Sequence, residues 1–445
     1  MIVLKFGGTS VQNAERMDEV LTITEYQIDR APVLVSSAMS KITDSLLLLS
    51  QKAKSGEEKE ALQLFEDIRN RHLSTAEAFL KGDNLSKAAE HLESYFTELH
   101  SLTRGLLLLK ECTPRSLDAI ASFGELMSTT LLYYRALTRG IQAEFADARD
   151  MVLTDDNFTS ALPLVEETNK RIGEALRPEP GKIIITQGFI ARTKAGATST
   201  LGRGGSDYSA TIFGAALNAE EVQIWTDVDG IMTTDPRIVP EAKTIAKISY
   251  EEAAELAYFG AKVVHPSTIQ PAVEKNIPVL VKNTMNPQGK YTSIEVYSNK
   301  PGIRAIASKK DITLININST RMLNAYGFLN RIFAIFDKYK TPVDLIATSE
   351  VSVSMTIDNL TYIEDIVKEA EKIGYVNVEQ GKSIICLVGQ NFWQDSAFVE
   401  RVFKSLHGIK VRMISLGSSD INLSIVIPGA SLQEAVQKLH REFFS

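Results

Sequence analysis

Five short runs, IVLKF, PVLVSS, KIIITQGF, VQIWTDV and IPVLVKN, constrain this chain most strongly. Each is apolar at successive rather than alternate positions, rich in β-branched residues, and bounded by Gly, Ser, Pro or Asp. Helix-like stretches of ten or more residues separate them. Strands that are apolar on both faces belong in a sheet covered on both sides, and helical connections make such strands parallel. The expected class is therefore α/β, a mostly parallel sheet sandwiched by helices. Ligands in such sheets bind beyond the carboxyl ends of the strands, so the Gly- and Ser-rich segments that follow the runs are where chemistry is expected.

Residues 55–104 are charged and helical in pattern and read as a solvated helical insertion. From about residue 300 the pattern changes, and one segment occurs twice. GFLNRIFAIFDKYKTPVDLIATSEVSVSMTI (327–357) and AFVERVFKSLHGIKVRMISLGSSDINLSIVI (397–427) align at an offset of 70. Phe328, Arg331 and Phe333 then stand opposite Phe398, Arg401 and Phe403. Both copies read helix, strand, turn, strand, with the alternation expected of half-buried antiparallel strands. A duplicated small α+β module follows the large domain.

With 445 residues, roughly three domains are expected. The formal net charge of −7 argues against nucleic acid or an anionic membrane surface as the partner. No apolar run approaches the roughly 20 residues that cross a bilayer, and MIVLKFGG lacks the features of a signal peptide. A cytoplasmic location is expected. Cys112 and Cys386 lack metal-ligand spacing, so neither a zinc site nor a disulfide framework is expected.

Neither a G-x-x-x-x-G-K-[ST] loop nor a G-x-G-x-x-G turn after a strand is present. Phosphate-friendly turns are. KFGGTS places Lys5 in a strand and Gly7 and Gly8 in the turn after it, where backbone N–H groups and a lysine charge suit phosphoryl oxygens. TLGRGGSDYSA adds a second glycine turn, with Arg203 as a planar fork for a carboxylate or phosphate. Asp207 there is either a carboxylate that orders nearby cations or a helix cap. VQIWTDV ends in Thr226 and Asp227, which suit a nucleotide or simply a tight turn. Lys262 in FGAKVVHP is either a phosphate ligand or an exposed charge, and His265 reads as structural. Glu125 sits beside Gly124 at the edge of a helix stripe through Leu117, Ile120, Met127 and Leu131, an unusual place for a glutamate that by itself reads as a solvated edge residue.

Taken together, KFGGTSV, VSSAMSKITD, ASFGELMS, ITQGFI, TLGRGGSDYSA, IWTDVDGI, TTDPR and FGAKVVHP resemble the ordered motifs of aspartate kinases in the amino acid kinase family. The duplicated tail resembles that family's paired ACT modules, and the likeness is to single-function, lysine-sensitive members. The resemblance implies a kinase domain over 1–295 and a regulatory region over 296–445, with modules near 312–382 and 383–445 and strand exchange between them left open. It implies ATP-dependent phosphorylation of the L-aspartate side chain, with Mg²⁺, and a homodimer or homotetramer. Lys5 would hold phosphoryl oxygens and Asp207 would organise the catalytic lysines. Thr43 and Glu125 would line the aspartate site, with Arg203 on the α-carboxylate. Lys5, Gly7, Gly8, Thr226, Asp227, Met232, Arg237, Lys262 and Val263 fall where the family contacts ATP, although relatives often carry tyrosine in the stretch that holds Met232. An inhibitory amino acid, lysine by resemblance, would meet Met322, Ala325, Phe328, Leu329, Val343, Asp344, Ser349 and Glu350. Asn324 and Ala325 replace a histidine and a serine common in lysine-sensitive relatives, which leaves threonine or methionine open as effectors.

Chemistry supports the assignment independently of the motifs. An aspartate side chain is already ionised at neutral pH and needs no general base, so the absence of a catalytic histidine is expected. Two other readings stay open: a kinase of glutamate or N-acetylglutamate, and a silent amino-acid-binding regulator.

Overall fold

The computed structural model describes residues 1–260, 264–296, 302–323, 326–417 and 419–445. They form two compact units, each with its own sheet.

The first unit spans Met1–Ile231, Ala246–Tyr250 and Val263–Tyr297. Its strands, in chain order, are β1 Ile2–Phe6, β2 Pro32–Ser36, β3 Ala143–Ala146, β4 Leu153–Thr154, β5 Ile183–Gln187, β6 Ile190–Thr193, β7 Thr198–Thr200, β8 Val222–Thr226, β9 Lys247–Ser249, β10 Val279–Asn283 and β11 Thr292–Glu295. Eight of them make one sheet in the order β3-β5-β2-β1-β8-β10-β11-β9, and β4-β6-β7 form a small second sheet. The five apolar runs are its contiguous centre, β5-β2-β1-β8-β10, and all pair in parallel. Every residue of β1, β2 and β5 is buried, which is what their unbroken apolar character demands. Among the described residues, only the β10–β11 pairing in this sheet is antiparallel.

The register matters for function. Phe6 pairs with Ser36 and Trp225, Ser36 with Gln187, and Thr226 with Asn283. The carboxyl ends of these strands therefore stand level, and the loops that follow them leave the sheet side by side.

Helices Glu58–Phe79 and Gly82–Leu109 fill the expected insertion and bury one stripe each, including Phe65, Ile68, Leu92 and Phe96. The helix Pro114–Thr138 departs from the stripe expected of it. Thr113 caps it by accepting from Ser116 N–H, and Pro114 opens it. From Ile120 to Leu132 every residue is buried, so this helix lies inside the unit rather than at its surface. Leu117 is only half-buried.

The second unit contains Met232–Ile245, Glu251–Lys262 and Ser298–Ser445. Its strands are β12 Gly302–Asn318, β13 Ile346–Thr348, β14 Ser352–Ile357, β15 Tyr375–Gln390, β16 Met413–Leu416 and β17 Asn422–Pro428, in the order β13-β14-β12-β15-β17-β16 and all antiparallel. The offset of 70 is physical: helix Phe328–Lys338 and strand β14 recur as helix Phe398–Ser405 and strand β17. Each repeat has its own core, one around Ile315, Phe328, Ile332 and Met355, the other around Leu387, Phe398, Val402 and Ile425. The long strands join them. Residues 312–318 of β12 pair with β14 and with the first half of β15, whereas residues 302–309 pair with the second half, 384–390. The second repeat thus takes its outer strand from a segment that precedes the first. Ile238 and Val239, from 232–245, complete the second core.

Candidate active site

Loops after β1, β2, β5 and β8 and the starts of two helices enclose a cavity of about 550 Å³. Lys5, Gly7, Gly8, Thr43, Glu125, Asp207, Thr226 and Asp227 all line it. A larger cleft of about 730 Å³ is lined by Glu15, Asp18, Phe79 and Met285 and has no lysine or arginine among the described residues that line it, so it lacks the cations that phosphate requires.

The side chain of Lys5 is buried near the end of β1, with Nζ 2.7 Å from Asp207 Oδ1. Asp207 lies in the first turn of helix Gly205–Ala216, but Gly204 is the N-cap, so Asp207 is not the cap. Gly204 is left-handed (φ 73°), a conformation that glycine adopts without strain. Helix Ile42–Lys54 also starts at the cavity: its N-cap Lys41 is left-handed (φ 68°) and Thr43 lies in its first turn. Two helix N-termini and a lysine therefore face one space, an arrangement that favours anions.

Glu125 is 3% exposed, which removes the solvated-edge reading. Gly124 lets this helix approach the β2 loop, because a Cβ there would stand 2.8 Å from Ala38 Cβ. Glu125 Oε1 accepts from Ala38 N–H (3.1 Å), while Oε2, also buried, has no hydrogen-bond partner among the described residues. Burial outweighs this bond and the nearby Lys5 charge and pushes the carboxyl up to about 8.

Arg203 is exposed between Gly202 and Gly204, which line the cavity. Met232 and Arg237 belong to the second unit. Met232 bridges Thr244, and Arg237, almost fully exposed, pairs with Asp235. Lys262, Val263 and Ala325 lie outside the described residues. His265 caps helix Pro266–Glu274 by accepting from Ser267 N–H, consistent with a structural role.

Of the regulatory set, Met322, Phe328 and Val343 share the first repeat's core, while Leu329, Ser349 and Glu350 are exposed. Asp344 is enclosed by other residues of the same unit. Its side chain is buried, with Oδ1 2.6 Å from Lys309 Nζ and accepting from Tyr258 O–H at 2.9 Å. Sequence reasoning also missed Lys41 and Phe189, two left-handed residues lining the cavity.

Gly188, after β5, carries a testable consequence. A Cβ there would lie 2.6 Å from Ser206 Cβ and 2.8 Å from Ser206 Cα, next to Asp207. Because backbone must shift, Gly188→Ala is expected to displace Asp207 and lower kcat/KM by about 10²-fold. Steady-state kinetics with far-UV circular dichroism as a folding control checks it.

The amino acid kinase family model matches residues 1–283, and an ACT domain model matches 385–443. Aspartokinase 1, chloroplastic, from Arabidopsis thaliana is 40% identical over 99% of this chain and 80% of its own length. Lysine-sensitive aspartokinase 3 from Escherichia coli is 37% identical, covering 100% of this chain and 99% of that protein. The solved structure of E. coli aspartokinase III with lysine and aspartate, in the T-state, superposes with a TM-score of 0.85 at 36% identity over the whole of both chains. Its R-state complex with aspartate and ADP gives 0.82. The chain belongs to the amino acid kinase family and, within it, to the aspartokinases.

Proposed function

We propose that the chain transfers the γ-phosphoryl group of ATP, bound with Mg²⁺, to the side-chain carboxylate of L-aspartate, giving 4-phospho-L-aspartate. The observation that carries the site assignment is the buried, half-satisfied carboxylate of Glu125 in the cavity that holds the Lys5–Asp207 pair. An α-ammonium supplies the missing partner of Oε2, and Arg203 takes the α-carboxylate. The substrate's other carboxylate is the nucleophile and is already charged, so the protein has to position it and neutralise the transferring group. Lys5 does the latter, held in place by Asp207. The glycine turn at Gly7 and Gly8 and the two helix starts offer N–H groups to phosphoryl oxygens. Thr226 and Asp227, which line the same cavity, serve its nucleotide end.

The second unit regulates this reaction by binding an amino acid, lysine in the best-supported case, with the exposed Leu329, Ser349 and Glu350 of its first repeat as the accessible contacts. The E. coli relative was solved with lysine, which favours it here. The chain works in the cytoplasm as a homodimer or homotetramer.

Hydroxylamine trapping of the acyl phosphate, with MgATP and aspartate, glutamate or N-acetylglutamate, tests the reaction. Signal with aspartate alone, suppressed by lysine, is the expected result. Suppression by threonine or methionine instead would reassign the effector, and no signal with aspartate would overturn the kinase assignment.

A further inference from the structure

Seven residues before Glu125, close to two full turns along the same helix, stands a second buried carboxylate, Asp118, 2% exposed. Unlike Glu125, it has hydrogen-bond partners on both oxygens. Oδ2 accepts from the backbone N–H groups of both Thr159 and Thr200, each at 2.9 Å, and Oδ1 accepts from Thr200 Oγ1 at 2.8 Å. It thus grips two segments 41 and 82 residues away in sequence. Thr200 is the last residue before the turn that carries Gly202, Arg203 and Gly204.

The second segment braces the same turn. Ala161 N–H donates to Thr200 O (2.9 Å), and a Cβ on Gly202 would stand 3.1 Å from Thr159 O. Thr159 itself is left-handed (φ 73°), a conformation that a β-branched residue holds only when its surroundings enforce it. Asp118 supplies part of that enforcement through the Thr159 N–H. A charged acceptor buried where a neutral serine or asparagine could cap one N–H is more than local structure requires; here it fixes three donors, two on the end of β7 and one on the loop at Thr159.

We propose that Asp118 is a positioning residue for substrate recognition: by clamping Thr200 and Thr159 it sets the turn that presents Arg203 to the substrate's α-carboxylate. One helix then orients both ends of the amino acid, Glu125 directly and Arg203 through Asp118. This rests on the reading that Arg203 binds the α-carboxylate.

The test compares L-aspartate with its α-amide, which keeps the ammonium and the reacting carboxylate but lacks the charge that Arg203 reads. Each is measured as a substrate or as a competitive inhibitor, with the wild type, Arg203→Ala, Asp118→Asn and Thr200→Val. The wild type is expected to prefer aspartate, and Arg203→Ala to abolish the preference. Asp118→Asn should raise KM for aspartate and shrink the aspartate-to-amide ratio at least tenfold, with KM for ATP unmoved. Thr200→Val, which loses only the hydroxyl, should shrink the ratio by about threefold, and it carries the test if Asp118→Asn does not fold. An unchanged ratio in Asp118→Asn, or in Thr200→Val when that is the folded variant, overturns the proposal while the Arg203 reading stands if Arg203→Ala loses it. An unchanged ratio in Arg203→Ala overturns both.

Discussion

Lys5→Ala is expected to lower turnover by about 10² to 10³-fold, the effect of removing one preorganised charge from a site where negative charge is redistributed. The same change leaves Asp207 with its carboxylate confined and its ion partner gone, and breaking a buried pair from one side destabilises the fold by about 3–5 kcal/mol. The side chains are 11% and 15% exposed, which places the cost toward the lower end of that range. The two effects are separable. In Lys5→Ala/Asp207→Asn the orphaned charge is removed, so the thermal midpoint should recover toward the wild type while turnover stays lost. Near-normal turnover in folded Lys5→Ala would remove the lysine from the chemistry.

Glu125→Gln should show the opposite balance, a large loss of aspartate use together with a gain in stability. Burial raises this carboxyl from 4.5 to about 8. A folded-state value above the unfolded one means that its contribution to stability is fully present below pH 4.5 and is lost as pH rises towards 8. Above pH 8 the ligand-free fold carries an ionised, half-satisfied carboxylate, at a cost of a few kcal/mol. Glutamine carries no such penalty, so the Glu125→Gln protein should melt higher than the wild type at pH 8.5, with the difference vanishing near pH 4.5. Aspartate binding requires the ionised form to meet the ammonium. Near pH 7 it should therefore release a proton, measured calorimetrically in buffers of different ionisation enthalpy, and KM for aspartate should fall from pH 6 to 8. A variant that melts no higher and binding that releases no proton would show that Glu125 is already ionised in the empty site.

The centre of the first sheet was legible because its five strands are buried on both faces, and burial on both faces leaves an apolar run with no alternation to misread. The edge strand β3, AEFA, is half-buried along its length and gives no such run. Glycine turns, Lys5 and Asp207 could be read because each sits within a few residues of a strand end or helix start. Glu125 was visible as an oddity, but its burial was not, since that depends on a helix enclosed by the rest of the unit rather than on its own periodicity. Asp118 carries no signal of its own in the sequence. Its partners, Thr159 and Thr200, are remote in sequence, and no local pattern announces them. The duplication was visible from side-chain matches at a constant offset, whereas the pairing of 302–309 with 384–390 reflects register between distant strands.

That pairing has a consequence for how the chain is made. Synthesis delivers residues 302–309 to the ribosome exit before the first repeat and their partners 384–390 only after it. The early segment must wait as an unsatisfied edge while the first repeat condenses beside it, and such long-range closure is slow to form. Nested in this way, the two repeats cannot be separated by a single cut: a chain halted at residue 382 would keep the first repeat and expose an orphan strand open to another chain.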